Sequence, residues 1–348
     1  ALHGQTAYRN WAEFTGIEQP RSRFHSVGML WMMGYSHSEA VATRDGLVAQ
    51  EGRAEVLDAA AVQARFPALS TCAEPFDLTG QIPHECRELE AALFEPDAGF
   101  ADPTGANQDL VEAARREGAE VLFRSEVRAV RTESGKVAGV DLAGGRTIKA
   151  PLIVNAAGPW CNRLNDMAGA RLGWTIIPTR IQVAYRLRPP EVPGQIPVVA
   201  DAATGIYFRP EASGQQILFG SVLPEDERER VDPDHFKTGA DAAFLDSKIH
   251  ALHHRLPDLP HRGSVTGIAG LYAINEEDVH PVIGPTPVEG WWVANGFSGH
   301  GFKLAPMVGS MIAQAITGTT RRFDTDVPMS FFSVDRAPLT VREKSVLA

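Results

Sequence analysis

Residues 296–303 read Gly296-Phe297-Ser298-Gly299-His300-Gly301-Phe302-Lys303 and lead into the uncharged run 304–317. The preceding Trp291-Trp292-Val293-Ala294-Asn295 is apolar and favours extended backbone, which reads as a strand. Within 304–317, Leu304, Val308, Met311, Ile312 and Ala315 recur at helical spacing. A helix without a charged face is expected to be buried on nearly all sides. The unit is therefore strand, glycine-rich turn, buried helix. Glycines at 296, 299 and 301 permit positive φ and close approach of a ligand. The helix N-terminus behind them offers free N–H groups and about half a positive charge, which suits an anion. Pro306 is expected in the first helical turn, where proline is tolerated. Lys303 is the odd residue, because a cation at the positive end of a helix is mildly unfavourable. It makes more sense facing a second anion, although a plain glycine turn with a solvated lysine also accounts for the stretch.

Working outward, 348 residues suffice for about two domains. Apolar content of 44% and charged content of 22% are ordinary for a globular enzyme. A net charge of −10 argues against nucleic acid or an anionic membrane as the main partner, yet leaves room for a small anionic substrate at a locally positive site. The apolar run 27–33 is far too short to span a membrane. Cys72, Cys86 and Cys161 are scattered, giving neither a disulfide framework nor a zinc pattern. That favours a reducing, cytoplasmic setting. The chain starts Ala1-Leu2-His3-Gly4 without a leader-like composition. Tyr8, Trp11, Ala12 and Phe14 fit an amphipathic helix already under way.

Residues 1–20 read as a helix closed by Gly16 and Pro20. Strand formers fill 24–35, and 56–58 read as a strand feeding a helix over 59–65 capped by Asp58. The stretch 69–89 is turn-rich. One or two strands follow in 92–103, then a helix over 104–117, a short strand at 119–123, and a meander over 126–132, 136–142 and 146–150. The run 152–157 is a fully apolar strand ending in small residues, of the kind usually central in a parallel sheet. Antiparallel-type strands are expected at 176–188, 198–201, 205–209, 215–220 and 265–275, with a helical stretch at 236–256. This middle block reads as a covering domain inserted between segments of the first, to which 280–284 return. The fold class is α/β, with α+β character overall.

The combination resembles a known family. Ile153-Val154-Asn155-Ala156-Ala157-Gly158-Pro159-Trp160 is similar to the strand, Ala-Ala-Gly, Trp element of the FAD-dependent amino acid and amine oxidoreductases, the D-amino acid oxidase superfamily. Residues 296–303 resemble that family's C-terminal flavin-binding signature, and 278–285 its acidic residue and Pro-Ile-Gly lead-in. Phe94-Glu95-Pro96-Asp97-Ala98-Gly99 and Phe331-Phe332-Ser333-Val334-Asp335-Arg336 look closest to the sarcosine oxidase branch.

The resemblance implies a discontinuous, Rossmann-like FAD-binding domain (1–20, 91–175 and 278–348) and an antiparallel-sheet substrate domain (21–90 and 176–277). It implies FAD contacts from Val127, Ala156, Ala157, Gly158, Trp160, Gly270, Gly296, Gly299, His300, Gly301, Phe302 and Lys303. Lys303 would hold a substrate carboxylate, with Arg209 assisting and Tyr272 lining the pocket. The expected reaction is oxidation of the C–N bond of a small carboxylate-bearing amine, sarcosine-like, by hydride transfer to the flavin.

The chain also departs from the family. The family opens with a strand, a Gly-x-Gly-x-x-Gly turn and an acidic ribose ligand; no such turn follows a strand here, and these parts are expected to precede residue 1. Gly270 stands where sarcosine oxidases attach flavin through a cysteine, so FAD is expected to be non-covalent. Leu218 stands where those oxidases carry an oxygen-activating lysine. A separate electron acceptor is therefore as compatible as oxygen. Two other readings remain: a 2-hydroxy acid oxidoreductase on the same scaffold, and a flavoprotein subunit or assembly factor without turnover of its own.

Overall fold

A computed structural model describes residues 1–341, apart from 76, 78–80, 193, 212 and 213. Residues 342–348, the end of the expected segment 278–348, lie outside the described residues. The chain begins with α1 (Leu2–Arg9) and α2 (Trp11–Thr15), then β1 (Phe24–His25), β2 (Met29–Tyr35) and α3 (His37–Ala49). β3 (Glu55–Leu57), α4 (Ala59–Arg65), β4 (Ala91–Glu95), β5 (Phe100–Ala101) and α5 (Pro103–Arg116) follow. The meander β6 (Val127–Glu133), β7 (Lys136–Leu142) and β8 (Thr147–Lys149) leads to β9 (Ile153–Asn155) and α6 (Cys161–Ala168). Next come β10 (Ile176–Leu187), β11 (Val198–Asp201), β12 (Ile206–Glu211), β13 (Gln216–Ser221) and α7 (Ala242–Arg255). β14 (Val265–Asn275), β15 (Val282–Pro285), β16 (Trp291–Asn295) and α8 (Gly301–Thr317) complete the set.

Eight strands form one sheet in the order β14-β10-β13-β12-β11-β2-β4-β3. All pairs are antiparallel except β11 with β2. Residues directly opposite each other share a face, and alternate residues along a strand switch faces. One face carries Leu30, Phe94, Ala184, Val199, Phe208, Ile217 and Phe219, all buried against α4 and α7 through Val62, Phe244 and Leu252. The register puts Tyr272, Gly270, Ile181, Tyr185, Leu218, Arg209, Tyr207, Ala200, Trp31 and Glu95 on the other face. Burial in β10 favours its polar row: Arg180 is 2% exposed, Ala184 0% and Arg186 5%. Arg180 bonds Asp241 and Glu229 at 2.8 and 2.7 Å, and Arg186 the Pro260 and Arg262 carbonyls at 2.5 and 2.7 Å, so buried charge is compensated.

Several local expectations hold for the physical reasons given. Asp58 caps α4 by accepting from the Ala61 amide at 2.8 Å, and Asp102 does the same for α5, with Pro103 at its first position. Others change. Residues 1–20 form two helices, broken at Asn10. Helix α3 has a weak apolar pattern, and its sequence signal is the reciprocal capping box of Ser36 and Glu39. Residues 119–123 are loop, not strand; Phe123 is exposed under the Arg115 guanidinium at 5.6 Å. Ala91–Glu95, grouped by sequence with the FAD-binding segments, is hydrogen-bonded between β2 and β3 in the large sheet.

A second, three-stranded sheet runs β15-β16-β9, with β16 and β9 parallel and Val293 opposite Asn155. The expected central strand 152–157 shrinks to Ile153–Asn155, an edge strand among the described residues. Helix α8 packs against this sheet and α1 through Met307, Val308, Met311, Ile283, Ala294 and Ala7. It is buried on one face only: Phe302, Ala305, Gly309, Ala313 and Ile316 are exposed. Pro306 is the sixth helical residue, not part of the first turn.

Candidate active site

Two parallel strands end side by side, and each ends in a turn that the sequence singles out. β9 runs into Ala156-Ala157-Gly158, and β16 into the turn 296–301. In α/β sheets, ligands bind outside the carboxyl ends of such strands. Gly158 (φ +53°), Gly296 (φ +71°) and Gly299 (φ +87°) adopt the left-handed backbone that disfavours a side chain. A Cβ on Gly296 would lie 2.6 Å from Ile176 Cδ1. Asn155 ties the first turn down: its Oδ1 accepts from the Ala157 amide at 3.1 Å, and its Nδ2 donates to the Cys161 carbonyl at 2.9 Å. Trp160 donates through Nε1 to Asp234 at 2.8 Å, fastening that turn to the 232–235 loop.

The second turn is fixed from below. The Ser298 amide donates to the Ala273 carbonyl at 3.0 Å, and the Ser298 hydroxyl accepts from the Asn275 amide at 2.9 Å. Asp278 and Arg336, from two of the motifs above, form a buried ion pair behind it. Helix α8 then starts at Gly301 with His300 as N-cap and no side-chain cap. Its first N–H groups have no intrahelical partner, and the helix dipole favours negative charge there. His300 is 5% exposed, and its Nε2 has no hydrogen-bond partner among the described residues. Burial, Lys303 and His280 together lower its pKa to about 4, so the imidazole is neutral at pH 7. The His280 ring lies 6.0 Å away, nearly parallel.

Lys303 reaches solvent, yet loss of water around its ammonium lowers its pKa while the Glu95 carboxylate pulls it back up. Glu95 also accepts from Trp31 Nε1 at 2.7 Å. Glu95 and Trp31 stand on the open face of the large sheet. Tyr272 lies on this face with a pKa raised by burial and by Glu227. Tyr207 shares it, its pKa raised mainly by burial. Arg209 stacks 4.5 Å over Phe100 and pairs with Glu211 at 2.6 Å. The Cβ direction of Gly270 meets nothing within 4 Å. Leu218 is opposite Arg209 in the register.

The structure thus groups Gly296, Gly299, His300, Gly301, Phe302 and Lys303 on one turn, with Ala156, Ala157, Gly158 and Trp160 at the neighbouring strand end. Gly270, Tyr272, Arg209 and Leu218 share the sheet face beside them. Val127 stands apart, at the start of β6 in the meander that packs on α6. Sequence reasoning missed Glu95, Trp31 and Tyr207. The signal for Tyr207 was present: it lies two residues before Arg209, and hence on the same face of its strand. No helix among the described residues is long and apolar enough to cross a membrane.

The chain is 34% identical to FAD-dependent oxidoreductase domain-containing protein 1 of Bos taurus over 180 residues, 49% of this chain and 36% of that protein. It is 29% identical to monomeric sarcosine oxidase of Streptomyces avermitilis over 283 residues, 76% of this chain and 66% of that protein. The chain therefore matches only about a third of the first relative's length. In fold it is similar to L-proline dehydrogenase from P. horikoshii, with a TM-score of 0.76 at 23% identity, covering 96% of this chain and 81% of that one. The sequence model of the FAD dependent oxidoreductase family matches residues 2–315. With that match across most of its length, the chain belongs to the FAD dependent oxidoreductase family, whose cofactor is FAD.

Proposed function

We propose that the chain oxidises the C–N bond of a small, carboxylate-bearing amine or amino acid, sarcosine-like in size. The observation that carries this reading is the pair of glycine turns at the carboxyl ends of the parallel strands β9 and β16, the second leading into the uncapped N-terminus of α8. That arrangement suits an anionic cofactor, and the sheet face carrying Tyr272, Tyr207 and Arg209 suits a small organic substrate.

The residues present fit FAD. Gly296 and Gly299 take positive φ in the turn 296–301, helix α8 leaves its first N–H groups uncapped, and the buried His300 Nε2 has no partner among the described residues. Gly296, Gly299, His300, Gly301 and Phe302 would hold one end of the cofactor, with Ala156, Ala157, Gly158 and Trp160 beside it and Val127 further out. When bound, FAD supplies the hydride acceptor. The dipole of α8 stabilises negative charge that builds on a group at its N-terminus. Attachment is non-covalent, since Gly270 carries no nucleophile.

Lys303 binds the substrate carboxylate. Tyr272 and Tyr207, both neutral phenols, and Arg209 line the substrate's side, while Glu95, held by Trp31 at 2.7 Å, offers a carboxylate to the substrate nitrogen. The substrate binds as the free amine; a carbon next to its nitrogen gives up hydride while the nitrogen lone pair closes a C=N bond. Water then adds to that imine and releases an amine and a carbonyl compound. The chain's own part is orientation and electrostatics. Leu218 stands on this side, where a cation would favour oxygen, so we assign the electrons to a separate acceptor. Residues 21–90 and 176–277, together with Ala91–Glu95, form the substrate side. A cytoplasmic setting accords with three free cysteines.

The test is an absorbance spectrum of the purified protein, taken before and after adding N-methylglycine without oxygen. Bleaching of flavin bands supports the reading. Intact bands with every amine offered, but bleaching with a 2-hydroxy acid, would replace it by the alcohol-oxidising alternative.

A further inference from the structure

Sequence spacing gives no zinc pattern, but the fold brings together residues that the flavin chemistry leaves unused. Cys72, His84 and His254 present one ligand atom each, all within 4.8 Å of one another. Cys72 Sγ lies 3.4 Å from His84 Nε2, and the His84 and His254 rings meet edge to face at 5.0 Å. In a tetrahedral zinc site, bond lengths of about 2.0–2.3 Å place neighbouring ligand atoms roughly 3.3–3.8 Å apart. The Cys72–His84 separation falls within that range.

The ligands stand on braced elements. His254 belongs to α7, and its neighbour Arg255, completely buried, bonds the Asp201 carboxylate at 2.8 and 3.0 Å. The same guanidinium donates to the Cys72 carbonyl at 3.0 Å and to the Ser70 carbonyl, locking the Cys72 segment to the end of α7. Cys72 in turn bridges Glu88 in antiparallel fashion, flanked by Ala73 N to Arg87 O at 2.7 Å and Leu89 N to Thr71 O at 2.9 Å. That ladder carries His84 past Cys72. Asp201 offsets the Arg255 charge, so the cluster is open to a cation. A cleft of about 700 Å³ lined by Cys72, Arg87, Glu88 and Arg255 gives access, and His84 is exposed.

We propose that Cys72, His84 and His254 form a tetrahedral site for a divalent cation of the zinc class, clipping Cys72 and His84 to helix α7. Three protein ligands leave the fourth position to water. Binding displaces the proton of the Cys72 thiol and forms one metal–sulfur and two metal–nitrogen bonds, a water oxygen completing the tetrahedron, with no change of oxidation state.

The test uses the full chain, reduced, stripped with a chelator and titrated with Co²⁺ alone, read as a difference spectrum. The site should give the visible bands of tetrahedral cobalt and a sulfur-to-cobalt charge-transfer band, saturating at about one equivalent and abolished by Zn²⁺. His84→Ala, at an exposed position, should weaken Zn²⁺ binding by about tenfold or more while the thermal midpoint without metal stays unchanged. Zn²⁺ should raise the midpoint of the wild type and not of His84→Ala. Absence of the sulfur band, or equal Zn²⁺ binding by wild type and His84→Ala, would each overturn the assignment.

Discussion

The Tyr8 hydroxyl donates to the Phe302 carbonyl at 2.7 Å. Phe302 lies four residues before Pro306, so it is the carbonyl that an ordinary residue at 306 would bond and that proline cannot. A side chain 294 positions earlier replaces the missing backbone bond. The Tyr8 ring also packs on that of Phe302, tilted by 30° with centroids 4.9 Å apart, and a Cβ at Gly4 would lie 2.3 Å from the Lys303 carbonyl oxygen. Helix α1 is thus seated directly on the first turn of α8, the turn that carries the candidate site.

Tyr8→Phe keeps the ring contacts and removes the donor. It should cost about 1–2 kcal/mol of unfolding free energy, since a partly buried carbonyl loses its partner. The same variant in a Pro306→Ala background should cost clearly less, because the backbone amide restored at position 306 then serves Phe302. Denaturant titration of the four proteins in the cycle measures the difference, and equal costs would break the link between Tyr8 and Pro306.

Lys303→Met removes the cation while keeping much of the stem. If Lys303 holds the substrate carboxylate, kcat/KM falls roughly 10- to 150-fold, the range for a hydrogen bond to a charged group of about 1.5–3 kcal/mol. The loss should appear mainly in KM, with the flavin spectrum retained. Unchanged steady-state kinetics would remove Lys303 from the site.

Gly296→Ala tests the turn itself. The residue sits at φ +71°, and its Cβ would meet Ile176 Cδ1 at 2.6 Å and Asn275 Cβ at 3.2 Å. Left-handed backbone alone costs a non-glycine residue about 1–2 kcal/mol, and the clash adds to it. Lower stability together with weaker flavin retention is expected on dialysis. Gly309→Ala, at an exposed position in α8 with nothing within 4 Å, is the matched control and should be neutral or slightly stabilising.

What the sequence made legible was local. The strand Trp291–Asn295, its glycine turn and the helix after it follow from spacing within 291–317, a single strand–turn–helix unit. Asp58 and Asp102 announce their helices because a cap needs only its neighbours. What stayed hidden depends on register or on distant partners. Glu95 lies in a quoted motif, but its place on the sheet face of Tyr272 and Arg209 follows only from the strand register. Tyr8 is a helical aromatic until Pro306 is known to lie beyond the first turn. Arg180 and Arg186 look solvent-facing in an alternating strand, and are buried because carboxylates and carbonyls elsewhere accept from them. Cys72 and His84 lack a zinc spacing because their partner His254 arrives from α7.

His300 gives the last prediction. Its folded pKa is about 4 against an ordinary 6.5, lowered first by burial and then by Lys303 and His280. Between those values the unfolded chain binds a proton that the folded chain does not, so stability rises with pH across the window. The contribution is fully present above about pH 6.5 and is lost as pH falls toward 4; it is on the order of 2–3 kcal/mol. Urea titrations from about pH 7.5 down to about 4.5 should therefore show a steeper loss for the wild type than for His300→Gln, whose side chain does not titrate. His253, also lowered to about 4, adds its own slope to both proteins and cancels in the difference. Parallel curves for the two proteins would mean that His300 takes up its proton in the folded state as readily as in the unfolded chain.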